Sequence, residues 1–152
     1  MTPPRRGDNN EEEANMLDTV RKLDYFALAM PDRPGEGARL LAALKASGVN
    51  LLALSGFPAG RKAQVDLVPE DAAALRAAAK KLKLALGARK HCFVIQGDDR
   101  VGALADTLQK LADAKINVTA IQAVTAGMGR YGAIFWVKPR DVARTAKRLG
   151  AV

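Results

Sequence analysis

The chain has 152 residues, 49% apolar and 26% charged, enough to bury roughly 70% of its unfolded surface in one domain or two small ones. No apolar run approaches the ~20 residues that span a bilayer, and acids rather than an apolar stretch follow Met1-Thr2-Pro3-Pro4-Arg5-Arg6, which excludes a secretory signal and points to the cytoplasm. One cysteine, Cys92, and one histidine, His91, exclude an intrachain disulfide, a cysteine zinc cage and most imidazole-dependent hydrolysis.

Residues 1–20 set Arg5 and Arg6 against Asp8, Glu11, Glu12, Glu13 and Asp18, a net of −3 in a chain of +8, so the remainder holds +11. Rich in Pro, Asn and Glu, this opening has little to bury and reads as a disordered tail that ends before Leu23. The folded part is the basic part, and an internal repeat organises it. Shifting by 67 residues sets Asp32-Arg33-Pro34-Gly35 on Asp99-Arg100-Val101-Gly102, Leu41 on Leu108, Leu44 on Leu111 and Val49-Asn50-Leu51 on Ile116-Asn117-Val118. After three extra residues, Pro69-Glu70-Asp71 meets Pro139-Arg140-Asp141. Two copies of one module are expected, at 21–88 and 89–152.

Each copy begins with an apolar run of strand length, Tyr25 to Met30 or Cys92 to Gln96, stopped by an Asp-Arg turn. Asp32 or Asp99 is placed to cap a helix, with Pro34 in its first turn. Leu40, Leu41 and Leu44, and Leu104, Leu108 and Leu111, mark the buried helix face, and Gly48 ends the first helix. Leu51 to Phe57 and Lys62 to Val68 then form a hairpin, as do Val118 to Val124 and Tyr131 to Val137. A second helix opens at Pro69 or Pro139, acidic first and basic last, as the helix dipole favours. A final strand at Ala88 to His91 can run on into Cys92, whereas the second copy ends at Val152 with almost no chain left for one. The order β-α-β-β-α(β) describes an α+β, ferredoxin-like split βαβ module, with helices on one face of an antiparallel sheet.

Little is present from which to build an active site. His91 and Cys92 are neighbours on a strand and point to opposite faces, so they cannot act as base and nucleophile. Ser47 and Ser55 are the only serines, and neither sits in a G-x-S-x-G turn. Gly127-Met128-Gly129-Arg130-Tyr131-Gly132 is literally G-x-G-x-x-G, but a strand rather than a helix follows it, so it reads as a hairpin turn. Pro34-Gly35-Glu36-Gly37 opens a helix without the Lys-Ser or Lys-Thr ending of a phosphate loop. No catalytic residue, metal ligand set or cofactor is expected.

Two copies of strand, Asp-Arg-x-Gly, leucine-spaced helix, apolar-Asn-apolar, hairpin and helix resemble tandem ACT domains, the small-molecule sensing modules often attached to enzymes of amino-acid metabolism. The resemblance spans residues 23–150, with Val101 in place of Pro34 and Lys115 in place of Gly48 in the second copy. It implies a non-catalytic, regulatory protein binding an amino acid where modules meet. Asp32, Gly35, Gly37 and Asn50 would form one site, and Asp99, Gly102, Ala103 and Asn117 the other. Unpaired amides at a helix N-terminus suit an α-carboxylate, Asp suits the ammonium, and the Asn amide can donate and accept. Structural roles explain the same residues: Asp caps helices, and Asn tolerates a left-handed turn.

Nucleic-acid binding is a second reading. Arg76, Lys80 and Lys83, and Arg140, Arg144 and Lys147, fall at helical spacing as basic stripes. The RNP1 pattern of the RNA-recognition module is not matched at Arg130 to Phe135, and such stripes are usually solvated surface. A third reading is assembly: an open sheet edge invites pairing, a homodimer is favoured, and with no catalytic domain attached any output passes to a separate protein partner.

Overall fold

The computed structural model describes residues 18–152. The chain divides into two compact units, residues 23–91 and residues 92–152, the latter joined by residues 18–22. The division therefore falls at His91/Cys92 rather than at 88/89. Of the expected tail, residues 1–17 lie outside the described residues, while Asp18 to Val20 already belong to a strand.

In the first unit the elements are β1 (Asp18–Pro31), α1 (Glu36–Ala46), β2 (Leu51–Ala59), β3 (Lys62–Pro69) and α2 (Ala72–Leu82). In the second they are β4 (Lys90–Asp98), α3 (Ala105–Asp113), β5 (Val118–Gly127), β6 (Arg130–Val137), a 3-10 turn (Pro139–Asp141) and α4 (Val142–Leu149). The α+β order expected from the repeat is present in both.

Each unit is built on an antiparallel sheet whose middle strand pairs on both sides, β3 with β1 and β2, β6 with β4 and β5. Register decides which residues meet. Phe26 lies opposite Leu67 and Leu28 opposite Val65, and this face is buried with Leu40 and Leu44 of α1 and Leu75 and Ala78 of α2. Likewise Phe93 lies opposite Phe135, their rings stacked at 5.2 Å, and joins Leu111 and Ile116, with Val142, Ala146 and Leu149 packed against them. Both helices of each unit thus cover one sheet face. Each large buried side chain stabilises by about 1.5–3 kcal/mol.

Several local expectations need correction. Asp32 and Asp99 do not cap their helices: the caps of α1 and α3 are Gly35 and Leu104, without a side-chain hydrogen bond. Backbone turns start these helices instead, with Glu36 N–H on Arg33 O, Ala103 N–H on Arg100 O and Ala105 N–H on Gly102 O. Pro34 therefore lies in the turn before α1. The second helices begin after their prolines, α2 capped by Asp71, whose carboxylate accepts from the Ala73 and Ala74 amides, and α4 preceded by the 3-10 turn at Pro139. Leu41 is 40% exposed, because the buried face of α1 runs through Leu40 and Leu44.

The strand ends differ as well. β1 begins at Asp18 rather than Tyr25, since Val152 donates to Val20 O and accepts from Lys22 N–H, which ties residues 18–22 to the end of the second unit. Ala88 and Arg89 are not strand; Gly87 instead donates to Ala27 O at 2.8 Å. The hairpin reading of the Gly127 to Gly132 run holds, with Gly127, Met128 and Gly129 all at positive φ in the β5–β6 turn.

The left-handed residues after the first helices are Gly48 (φ +71) and its repeat counterpart Lys115 (φ +56), not Asn50 and Asn117. A side chain in this conformation costs roughly 1 kcal/mol or more that glycine avoids. Lys115→Gly is therefore expected to stabilise the protein by about 1 kcal/mol and Gly48→Lys to destabilise it by a similar amount, read from urea unfolding midpoints.

Candidate ligand-binding loops

The loop leading into α1 is open. Asp32, Gly35 and Gly37 are all exposed, and the first helical bond runs from Arg39 N–H to Gly35 O. The Gly37 and Ala38 amides lie ahead of that bond and face out of the helix N-terminus, where the dipole favours an anion. Gly35 needs its lack of side chain, at φ +89, whereas a Cβ on Gly37 would meet nothing within 4 Å. Arg33 holds one oxygen of Glu36 at 3.1 Å and remains 69% exposed, an i,i+3 surface pair contributing about 0.2–0.5 kcal/mol.

The loop leading into α3 is built differently. Asp99 N–H bonds Gly129 O at 2.8 Å, tying the loop to the β5–β6 turn, and Arg130 pairs with Asp98 at 2.7 Å. The Arg100 guanidinium grips the Asp18 carboxylate with both terminal nitrogens, at 3.1 and 2.9 Å, and bonds the Asp98 and Ala103 carbonyls. Tyr131 Oη donates to Asp18 at 2.9 Å. The hydrogen bond to Asp18 raises the Arg100 pKa further above its ordinary value. Burial, followed by the Asp18 hydrogen bond and charge, pushes the Tyr131 phenol up to about 12.

Asn50 and Asn117 sit elsewhere. Asn50 precedes β2 and exchanges two bonds with Glu70, Nδ2 to the carboxylate at 3.0 Å and Glu70 N–H to Asn50 O at 2.9 Å. Pro31 lies opposite Lys62 and Leu51 opposite Pro69, so the length of β3, seven residue steps or about 24 Å, separates the Asp32–Gly37 loop from Asn50. Asp98 opposite Arg130 and Val118 opposite Val137 separate the Asp99–Ala103 loop from Asn117 in the same way. The structure brings together Asp32, Gly35 and Gly37, and separately Asp99, Gly102 and Ala103. Neither Asn can join the loop of its own module, because α1 and α3 carry the chain from one end of the sheet to the other.

Each module also has a groove between its first helix and the end of its second. In the first unit the groove, of about 390 Å³, is mainly apolar, with Met30, Leu40, Ala43 and Leu84 beside Glu36 and Arg39. In the second, of about 570 Å³, the repeat counterparts Thr107 and Lys110 join Asp18, Arg100, Lys147 and Arg148. Sequence reading missed Asp18, taken as tail, and Tyr131, taken as the start of a strand. Only their distant partners give them a role, and no local pattern signals that. Of the basic stripes, Arg76 lies over the Phe26 ring at 5.2 Å and Arg144 bonds the Ala114 carbonyl at the end of α3; Arg148, outside the stripes, bonds the Lys110 carbonyl.

No family model matches the chain, and no curated protein sequence does. Solved structures do. A Bacteroides thetaiotaomicron protein superposes with a TM-score of 0.68 at 17% identity, over 86% of this chain and 88% of that one. The ligand-free regulatory subunit of aspartate kinase from Thermus thermophilus follows at 0.59 and 16%, over 88% and 95%. The aspartate kinase of Clostridium acetobutylicum matches at 0.53 and 14%, over 87% of this chain but 33% of that enzyme. The fold is that of ACT-domain proteins, in two copies. The matches thus include a protein named as a regulatory subunit and one third of the length of a whole enzyme. Among the described residues of this ACT-fold chain no group of metal-ligating side chains gathers, and no helix is long and apolar enough to cross a membrane.

The Tyr131 hydrogen bond makes a checkable claim. Tyr131→Phe leaves Arg100 on Asp18 and is expected to cost about 1 kcal/mol at neutral pH, measured by urea unfolding. A phenol whose pKa rises from 10.0 to about 12 on folding contributes stability in full below pH 10 and loses it as the pH climbs from 10 towards 12. Absorbance at 295 nm should show one tyrosine ionising late in the wild type, and that late transition should vanish in Tyr131→Phe.

Proposed function

We propose that this chain is a non-catalytic regulatory module that binds an amino acid and passes the result to a separate protein partner. The observation that carries the reading is the open N-terminus of α1, whose Gly37 and Ala38 amides stand beside the exposed Arg33, in a fold shared with the regulatory subunit of an aspartate kinase. Those amides and the guanidinium suit an α-carboxylate, and Asp32 suits the ammonium. In the second loop, whose Asp99, Gly102 and Ala103 the resemblance groups as the other site, the Ala103 amide is already bonded to the Arg100 carbonyl, so the first loop carries the reading.

An Asn contributes only from a different module, because strand length keeps each Asn away from its own loop. A complete site therefore forms where a loop of one module meets the Asn-bearing end of another, and a homodimer supplies such a contact through isologous pairing. Binding across a contact couples ligand to assembly: a ligand that favours the joined state stabilises it by mass action. Polyanion binding is the second reading; within its stripes Arg76 and Arg144 also serve the fold, over the Phe26 ring and on the Ala114 carbonyl.

In a thermal-shift panel of the twenty amino acids, one member should raise the melting midpoint, with a stabilisation of about 2.7 kcal/mol at a hundred times its dissociation constant. Asn50→Ala should remove that shift and leave the fold intact, because the bond it loses is an exposed one to Glu70 worth about 0.5–1 kcal/mol. A flat panel, or a shift that survives Asn50→Ala and Asn117→Ala together, overturns the reading.

A further inference from the structure

We propose that the Arg100 guanidinium and the Tyr131 hydroxyl form a carboxylate site that the chain fills with its own Asp18, closing the second loop to free ligand while the first stays open. The closure rests on geometry alone; that an amino acid comes to the first loop rests on the function proposed above.

Arg33 and Arg100 are counterparts in the repeat, and of the pairs that differ around them, Pro34/Val101, Glu36/Ala103 and Gly37/Leu104, the second removes a charge. Glu36, which holds Arg33, is replaced by Ala103, so the second loop has no carboxylate of its own there. Asp18 supplies one from 82 residues away. A guanidinium carries four N–H bonds on its terminal nitrogens, and at Arg100 all four are committed, two to Asp18, one to the Asp98 carbonyl and one to the Ala103 carbonyl. The single hydroxyl proton of Tyr131 is committed to Asp18 as well. The side chains of Asp18 and Arg100 are 12% and 29% exposed, against 69% for Arg33.

A free carboxylate at Arg100 must displace one that is already tethered by two bonds, whereas at Arg33 it meets a guanidinium that is 69% exposed and held by a single contact from Glu36. The cradle has the chemistry of a small-carboxylate site: two parallel charged donors, a phenol donor, and two backbone carbonyls that fix the plane of the guanidinium. Shortening Asp18 opens it onto the adjoining groove, which Asp18 and Arg100 both line.

Chemical rescue tests this on the full chain. In sodium chloride, Asp18→Ala should melt lower than wild type; replacing chloride by acetate at equal ionic strength should restore most of the loss, saturably. The wild type should not respond to the exchange, and Asp18→Ala combined with Arg100→Gln should show no rescue. Absence of rescue in Asp18→Ala, or an equal response in the wild type, overturns the proposal. Should Asp18→Ala fail to fold, arginine side-chain NMR of the wild type decides: acetate should move the Arg33 Nε–H signal and leave that of Arg100 in place, and movement of Arg100 overturns the closure. Both readouts use acetate, so a flat amino-acid panel defeats the proposed function without touching the closure, and failed rescue defeats the closure without touching the first loop.

Discussion

The backbone pairing of the two middle strands, β3 and β6, is the constraint on which each unit depends. Because side chains alternate across a strand, one register puts Phe26, Leu28, Val65 and Leu67 on a single face, and its equivalent does the same for Phe93, Ile95, Ala133 and Phe135. A slip of one residue would turn each set into solvent and strip both helices of their partner. The same register sets the distance between functional groups. A first helix must run the length of the sheet to bring the chain back antiparallel, so the loop before it and the Asn after it stand at opposite ends.

Duplication preserved backbone and changed chemistry. Gly48 and Lys115 share a left-handed conformation although only one of them is suited to it, and Lys83 and Gly150 show the reverse assignment at the ends of α2 and α4. Around that common backbone, Leu40 and Ala43 become Thr107 and Lys110, and an apolar groove becomes a charged one. Glu36 becomes Ala103, and an exposed local ion pair gives way to a part-buried network reaching back to the first described residue. Bidentate, charge-assisted bonds with a phenol donor outweigh a lone surface pair several-fold, so the two loops, alike in sequence pattern, differ in what they can still accept.

A fold with few polar side chains in its interior leaves function to its surface loops. The open loop carries backbone amides, a guanidinium and a carboxylate in a short exposed stretch, Asp32 to Ala38.

The sequence by itself determined the repeat, the order of elements, the helix-bearing face of each sheet and the two glycine-containing loops, because these follow from periodicity and turn chemistry over neighbouring residues. It misjudged the helix caps, where backbone turns do the work that Asp32 and Asp99 were expected to do, since both arrangements satisfy the same amides. It also grouped Asn50 with Asp32, which are near in the chain but held apart because α1 between them runs the length of the sheet. Only the tertiary structure decided the partners of Asp18, Arg100 and Tyr131. A bond between residues 82 or 113 positions apart leaves no periodic trace, and the charge that looked like part of a solvated tail gains its meaning from where β1 brings it.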